Sequence, residues 1–480
     1  MPPEKNRSPV DRIKTGSFER RLSLTRAGLY AGSRMAGHYA TNWFGSRERR
    51  RQRRSRMLSR QAEFLVEELG QLKGSVVKIG QIMALYGEHF LPGEVTEALH
   101  TLEDKTTSLE WPVIERTLKE EFGQQRLSEL EVEPEPIGAA SLGQVHRATR
   151  RSDGLVMVLK IQYPGVANAV DSDLDSVAQL LKMARLVSWG PAFDEWLEEV
   201  RAMMHREVDY KLEARTTESF RLKLENDSRF IVPRVVPEFS TPHVIASTFE
   251  SGYSVSSEQV QSLSLERRST LGRAALELFL SELFIWNEIQ TDPNFGNYLI
   301  RFAEDTGDRD RIVLLDFGAV QRYSDAFLGP VRDMIRASYE RDLDAVIAGG
   351  IKLNFMDAQW PREILERFGR VCMSVLEPLS GDITEKPDFA LNVKGEYRWK
   401  QSDLANRVAR EATRSAISRY FRIPPREFVF LNRKLVGVYT FMSVLEAEFS
   451  GEPILRQYLY GDISSHECAT GLEQSGNIGV

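Results

Sequence analysis

The chain has 480 residues, 42% hydrophobic and 28% charged, enough for one large or two ordinary domains with a real core and too well balanced for wholesale disorder. A formal charge of -6 argues against a nucleic-acid partner, and two cysteines, Cys372 and Cys468, exclude a disulfide framework and favour a reducing, cytosol-facing compartment. Seven scattered histidines offer no zinc-site spacing, and no apolar run reaches about 18 residues, so neither a zinc centre nor a conventional membrane-spanning helix is expected.

Residues 1–25 are polar and read as a flexible tail without the apolar core of a secretory leader. The segment Ala27–Phe44 is small and aromatic, and between Gly45 and Arg60 eight arginines follow against the single Glu48. A charge run is commonly only a solvated helix face. Here a Trp-bearing apolar stretch abuts it, a layout suited to anionic lipid. From Met57 to Leu91, Leu65, Leu69, Leu72, Val76, Ile79 and Met83 recur three and four apart, which predicts one long helix with an apolar stripe. Lys78, Gly80 and Gln81 sit inside it. A mid-helix glycine costs about 1 kcal/mol relative to alanine, so Gly80 suggests a close approach to the backbone. A second helix is predicted over Pro112–Phe122.

Near Pro136 the texture turns to strands. PIGAASLGQVHRATR and LVMVLKIQYPG flank Asp153-Gly154, a hairpin signal. The small residues Gly138, Ala139, Ala140, Ser141 and Gly143, up to Val145, read as a turn-rich loop that lets backbone N–H groups approach phosphate, although a tight hairpin explains them equally well. Lys160 ends an apolar strand and needs an acidic partner or a phosphate if buried, whereas an edge position would let it snorkel. Helical texture runs through Trp196 to Phe220, then RFIVPRVV and HVIASTF look strand-like, and beyond Ser264 the chain is mostly helical. RIPPREFVFLNRKLVGVYTFMSVLEA reads as a core helix, and the tail after Asp462 as loose.

Two further pieces complete a constellation: Asp292 in QTDPNFGN with Asn297 five residues on, and Asp316 in VLLDFG, 24 residues after Asp292. Each is weak alone. In this order, after a VLK strand and a small-residue loop, they match kinase machinery. There the loop aspartate faces the nucleophile, the asparagine and second aspartate hold Mg²⁺, and the lysine holds the α/β-phosphates. Two departures stand out. Gln290 and Thr291 replace the usual His-Arg ahead of the loop aspartate, and AVQRYSDAFLGPVRDMI enters a helix at once, leaving no room for a peptide-binding activation segment.

Lys78-Ile79-Gly80-Gln81, GAASLGQVH, VLKIQYPGV, REVDYKLEA, QTDPNFGN and LLDFGA together resemble the UbiB family of atypical kinase-like proteins, over about residues 60–450, with QTDPNFGN similar to the coenzyme Q biosynthesis branch. The resemblance implies an α+β, bilobal protein-kinase-like fold with a KxGQ helical extension and a mostly helical C-lobe. The expected division is 1–56 tail and basic segment, 57–130 extension, 131–255 N-lobe, 256–460 C-lobe and 461–480 tail. It further implies Glu213 as the partner of Lys160, and Glu207 and Asp209 as an ExD pair facing Lys78 in a regulatory latch. Its cofactors are ATP or ADP with Mg²⁺. Gly138 stands where three alanines are common in the family; those alanines disfavour productive ATP geometry, so the preference between ATP and ADP stays open. Expected partners are an anionic membrane surface, hydrophobic quinone precursors and quinone-biosynthesis proteins, with no oligomeric state implied. The lack of a transit peptide implies a bacterial protein at the inner face of the cell membrane. The activity reads as an ATPase handling quinone precursors, with a small-molecule kinase and a nucleotide-binding scaffold as alternatives.

Overall fold

The computed structural model describes residues 75–86, 91–100, 108–139, 142–183, 186–187, 190–292, 294–382, 384, 386–408, 410 and 426–461. The apolar and arginine-rich segments before Arg60, the stripe residues Leu65, Leu69 and Leu72, the loop residues Ala140 and Ser141, and the tail after Asp462 lie outside them. The architecture is mixed α+β. The chain divides into two compact units, one of residues 1–214 and 235–249, the other of 215–234 and 250–480. The described residues of the predicted 57–130 extension fall within the first unit, and residues 215–234, predicted with the N-lobe, within the second.

In the first unit α1 (Ser75–Tyr86) carries the Lys78 motif, followed by α2 (Gly93–His100) and α3 (Trp111–Ser128). The α1 stripe is fully buried, with Val76 and Ile79 at 0% exposure and Met83 at 1%. Gly80 is buried on the same helix. The predicted Pro112–Phe122 helix is interrupted where Gly123 takes φ 71°, a left-handed conformation suited to glycine, and resumes to Ser128.

A four-stranded antiparallel sheet follows in the order β1 (Leu130–Ala139), β2 (Gly143–Arg150), β3 (Val156–Gln162) and β5 (Val244–Thr248). Asp153-Gly154 makes the β2–β3 turn, with Gly154 at φ 74°. Strand alternation buries Met157, Leu159 and Ile161 and turns Val158 and Lys160 to the other face. Beyond β3, α4 (Val166–Met183) and α5 (Pro191–Glu207) pack against α1. Val170, Leu174 and Val200 of these helices are wholly buried. A buried Ser75 hydroxyl donates to Asp173, a polar tie between α1 and α4 inside an otherwise apolar contact. Helix α6 (Tyr210–Lys223) begins in the first unit.

In the second unit the later turns of α6 precede β4 (Phe230–Ile231), which joins a sheet ordered β4, β9 (Arg311–Leu314), β8 (Tyr298–Arg301) and β6 (Tyr253–Ser254). The β4–β9 pairing is parallel and the rest antiparallel. RFIVPRVV therefore contributes only a two-residue strand, since Pro233 and Pro237 cannot continue a ladder. Helix α7 (Leu265–Ser281) continues into a π-helical turn, Glu282–Trp286, and then β7 (Glu288–Gln290), which pairs with β10 (Val320–Arg322). Longer helices among the described residues that follow are α8 (Asp325–Glu340), α9 (Leu343–Lys352), α10 (Arg362–Val375), α11 (Arg426–Val444) and α12 (Glu452–Tyr460). Helix α11 is the predicted core helix, with Phe430, Leu431, Val438, Phe441 and Met442 buried.

Candidate active site

The first unit holds the lysine machinery. Lys160 pairs in register with Val145 on β2 and Ile245 on β5, so its side chain leaves the middle of the sheet. Its Nζ donates to Glu213 Oε1 at 2.6 Å and lies 5.4 Å from the centre of the Tyr210 ring. Glu213 is 8% exposed at its side chain and Lys160 24%, so the pair is shielded on the glutamate side and open on the lysine side. A partly buried ammonium needs that carboxylate.

Helix α6 is set by what precedes it. Asp209 Oδ1 accepts the Leu212 N–H at 2.9 Å and caps the helix, while the Asp209 carbonyl receives the Glu213 N–H at 3.1 Å. One residue earlier, the Val208 carbonyl accepts Gln162 Nε2 at 3.0 Å, which ties the end of β3 to the same turn. Glu207 closes α5 and meets Lys78 Nζ of α1 at 2.8 Å. The Glu207-Val208-Asp209 stretch thus places one carboxylate on Lys78 and uses the other to start the helix that carries Glu213.

The small-residue segment is more regular than a loop. Gly138 pairs with Val145 and Ala139 with Gln144, so strand pairing runs to residue 139 and resumes at Gly143. The predicted nucleotide residues Gly138, Ala139, Gly143 and Val145 are accordingly ladder positions. Gly143 has a steric reason to be glycine: a Cβ there would run into the Ile161 carbonyl and the Tyr210 hydroxyl. Gln144 and His146 are wholly buried. Gln144 Oε1 accepts the Leu109 N–H at 2.7 Å, and its Nε2 lies 2.8 Å from His146 Nε2. His146 Nδ1 faces the Glu133 carbonyl at 2.8 Å, so the ring is a neutral Nδ1–H tautomer accepting from Gln144. Burial holds its pKa below the ordinary histidine value, against the Glu133 carbonyl and the Glu135 charge.

The second unit holds the carboxylate machinery. Asn297 Nδ2 donates to Asp292 Oδ2 at 2.9 Å, and Asp316 Oδ1 accepts the Gly318 N–H at 2.8 Å. The Leu315 N–H donates to the Asn297 carbonyl at 2.9 Å, holding the two segments side by side. Asn294 caps the short turn with its side chain on the Gly296 N–H at 2.9 Å. Phe317 is buried and stacks 4.8 Å from Phe220, which in turn meets Trp286. From Gly318 only β10 intervenes before α8 begins at Asp325, in keeping with the predicted lack of an activation segment.

Four residues here escaped sequence reasoning as functional. Gln290 Nε2 donates to the Asp316 carbonyl at 3.3 Å, and Thr291 Oγ1 to the Ala319 carbonyl at 2.7 Å. The two residues that replace His-Arg therefore stitch the loop to the Asp316 turn. From α11, Arg433 Nη2 donates to Asp292 Oδ1 at 3.2 Å. Its neighbour Lys434 is buried, with its ammonium 2.9 Å from Glu282 Oε2. Burial works against the Lys434 charge, yet Glu282, Tyr298 and Asp292 raise its pKa. The only sequence signal was an Arg-Lys pair inside an apolar helix.

Asn297 offers a carbonyl oxygen and Asp316 a carboxylate, hard oxygen donors that fit Mg²⁺ when phosphates complete its shell. Among the described residues no group of three or more His, Cys, Asp or Glu could hold a metal. A nucleotide-borne ion needs only one or two protein carboxylates, so the donor set is consistent with that role.

The model of the ABC1 atypical kinase-like domain matches residues 101–349. The chain is 28% identical over 410 residues to probable serine/threonine-protein kinase abkA of Dictyostelium discoideum, covering 83% of this chain and 70% of the relative. It is 28% identical to the mitochondrial atypical kinase COQ8 of Saccharomyces cerevisiae over 376 residues, 78% and 71% of the two chains. The Schizosaccharomyces pombe COQ8 matches at 28% over 390 residues, where the alignment spans 81% of this chain and 61% of the relative. Among solved structures, the complex of Rv3197 with erythromycin from Mycobacterium tuberculosis superposes with a TM-score of 0.56 at 22% identity, over 82% of this chain and 94% of that one. That likeness shows a shared fold, and the family match makes it a kinase-like one.

Proposed function

The chain belongs to the ABC1 atypical kinase-like, or UbiB, family, and from that premise we propose that it is a Mg²⁺-dependent, ATP-binding ATPase that supports isoprenoid-quinone biosynthesis at a membrane. The observation that carries the reading is the Lys160–Glu213 pair at 2.6 Å, a partly buried ammonium held in place by a buried carboxylate. Such a lysine is a phosphate ligand prepared in advance, because its position is fixed before the anion arrives. Asn297 and Asp316 would hold the ion that accompanies the nucleotide, and Mg²⁺ supplies neutralisation of phosphate charge. Asp292 would orient the attacking oxygen.

The short passage from Gly318 to α8 favours hydrolysis or a small acceptor over a peptide substrate. The quinone assignment rests on the similarity to proteins named COQ8 and on the motif resemblance. Membrane contact rests on the basic, Trp-bearing N-terminal sequence; no helix of the described residues is long and apolar enough to cross a bilayer. Under this reading ATP turnover requires Mg²⁺, rises with anionic liposomes, and falls at least about a hundredfold in Asp316→Asn. Turnover unchanged in that variant would defeat the nucleotide assignment, and indifference to lipid would defeat the membrane one. Label passing from γ-phosphate into a prenylated phenol would instead identify a small-molecule kinase.

A further inference from the structure

We infer that Arg433 of α11 is a positioning residue for the metal-binding asparagine, acting through Asp292. The inference rests on the Mg–nucleotide reading above and deepens it. Asp292 is held from both sides: Oδ1 accepts from Arg433 Nη2 at 3.2 Å and Oδ2 from Asn297 Nδ2 at 2.9 Å. A carboxylate so gripped cannot rotate, and its grip decides the orientation of the amide. With nitrogen turned to Asp292, the Asn297 side chain has only its carbonyl oxygen to offer a cation, which is the atom Mg²⁺ requires.

The rest of the chain makes Arg433 a fixed support. Its backbone neighbour Lys434 is anchored against Glu282, with side-chain exposures of 4% and 1%, in the π-helical turn that leads into β7. One residue from that buried pair, Arg433 reaches Asp292 with its side chain 29% exposed. Gln290 and Thr291 spend their own side-chain donors on the Asp316–Ala319 turn. The charge partner of Asp292 thus comes from a helix 141 residues away in sequence. A guanidinium suits the task because it stays charged and has a rigid fork; a lysine keeps the charge without the fork.

The test uses the full chain, ADP, and Mn²⁺ as a paramagnetic stand-in for Mg²⁺. Free Mn²⁺ is followed by electron paramagnetic resonance during titration of wild type, Arg433→Lys, Arg433→Gln and Arg433→Ala. Removing a group that orients a metal ligand typically weakens metal binding 10–100-fold. We expect Mn²⁺ affinity in the ADP complex to fall about tenfold in Arg433→Gln and Arg433→Ala, with partial recovery in Arg433→Lys, while metal-free ADP affinity and melting temperature stay at wild-type values. Wild-type Mn²⁺ affinity in both neutral variants overturns the inference, as does an equal loss of metal-free ADP binding, which would place Arg433 on the nucleotide itself. If wild type shows no ADP-dependent Mn²⁺ binding, the Mg–nucleotide reading fails and the inference with it. Should Arg433→Ala unfold, Arg433→Lys decides alone, through intermediate affinity or none lost.

Discussion

Asp209 and Glu213 occupy successive turns of one short structure, the first capping the helix whose first turn delivers the second to Lys160. This gives the aspartate of the Glu207–Asp209 motif a physical task apart from Lys78. The cap satisfies an N–H that the helix start leaves orphaned, and its charge favours the positive end of the helix dipole. Replacing such a cap by alanine typically costs about 1 kcal/mol. Asp209→Ala should therefore lower stability by about that amount and, by loosening Glu213, weaken ATP binding several-fold. Glu213→Gln should weaken ATP binding more with a smaller effect on the cap. Isothermal titration with ATP and a urea melt separate them, and equal ATP affinity in Asp209→Ala and wild type would show that the cap does not govern Glu213.

The Lys160 strand, the Asp153-Gly154 turn and the Asp316 turn were legible in the sequence because each is a local pattern: alternation, a dipeptide with special backbone freedom, an apolar strand ending in a carboxylate. The partnership of Lys160 with an acid was demanded by burial, and Glu213 came from the family resemblance. What sequence could not show was long-range. Arg433 looks like any cation on an apolar helix, and its meaning appears only when folding brings it against Asp292. The small-residue segment left a phosphate loop and a tight hairpin equally open, and pairing of Gly138, Ala139 and Gly143 with Val145, Gln144 and Gln162 places them in the sheet; at Gly143 the missing Cβ serves close packing against the Ile161 carbonyl and the Tyr210 hydroxyl.

His146 makes the first unit sensitive to mild acid. Its folded pKa lies below the ordinary histidine value of 6.5 because burial disfavours the charged ring. Above pH 6.5 the ring is neutral in both folded and unfolded chains, and its contribution is constant. As pH falls below 6.5 the unfolded chain takes up a proton that the folded chain refuses, so stability declines until the folded pKa is reached. Thermal melts between pH 7 and 5.5 should show a falling melting temperature. The slope should flatten in His146→Gln, whose amide keeps a donor and an acceptor without titrating, even though that variant starts from a lower stability. An identical slope in both proteins would mean that His146 does not carry the effect.

The Lys434–Glu282 pair should behave as a buried charge pair does, costly to break from one side and cheap to remove whole. Lys434 is held above its ordinary pKa by Glu282, whereas burial pushes the Glu282 carboxyl up. Lys434→Met leaves Glu282 buried without its counter-charge, a change worth about 3–5 kcal/mol. The loss should shrink as pH is lowered, because with the lysine gone less offsets burial and Glu282 escapes the penalty by taking a proton. The double variant Lys434→Met with Glu282→Gln removes both charges and should recover most of the stability. If the double variant is no more stable than Lys434→Met alone, the pair contributes through packing and not through charge.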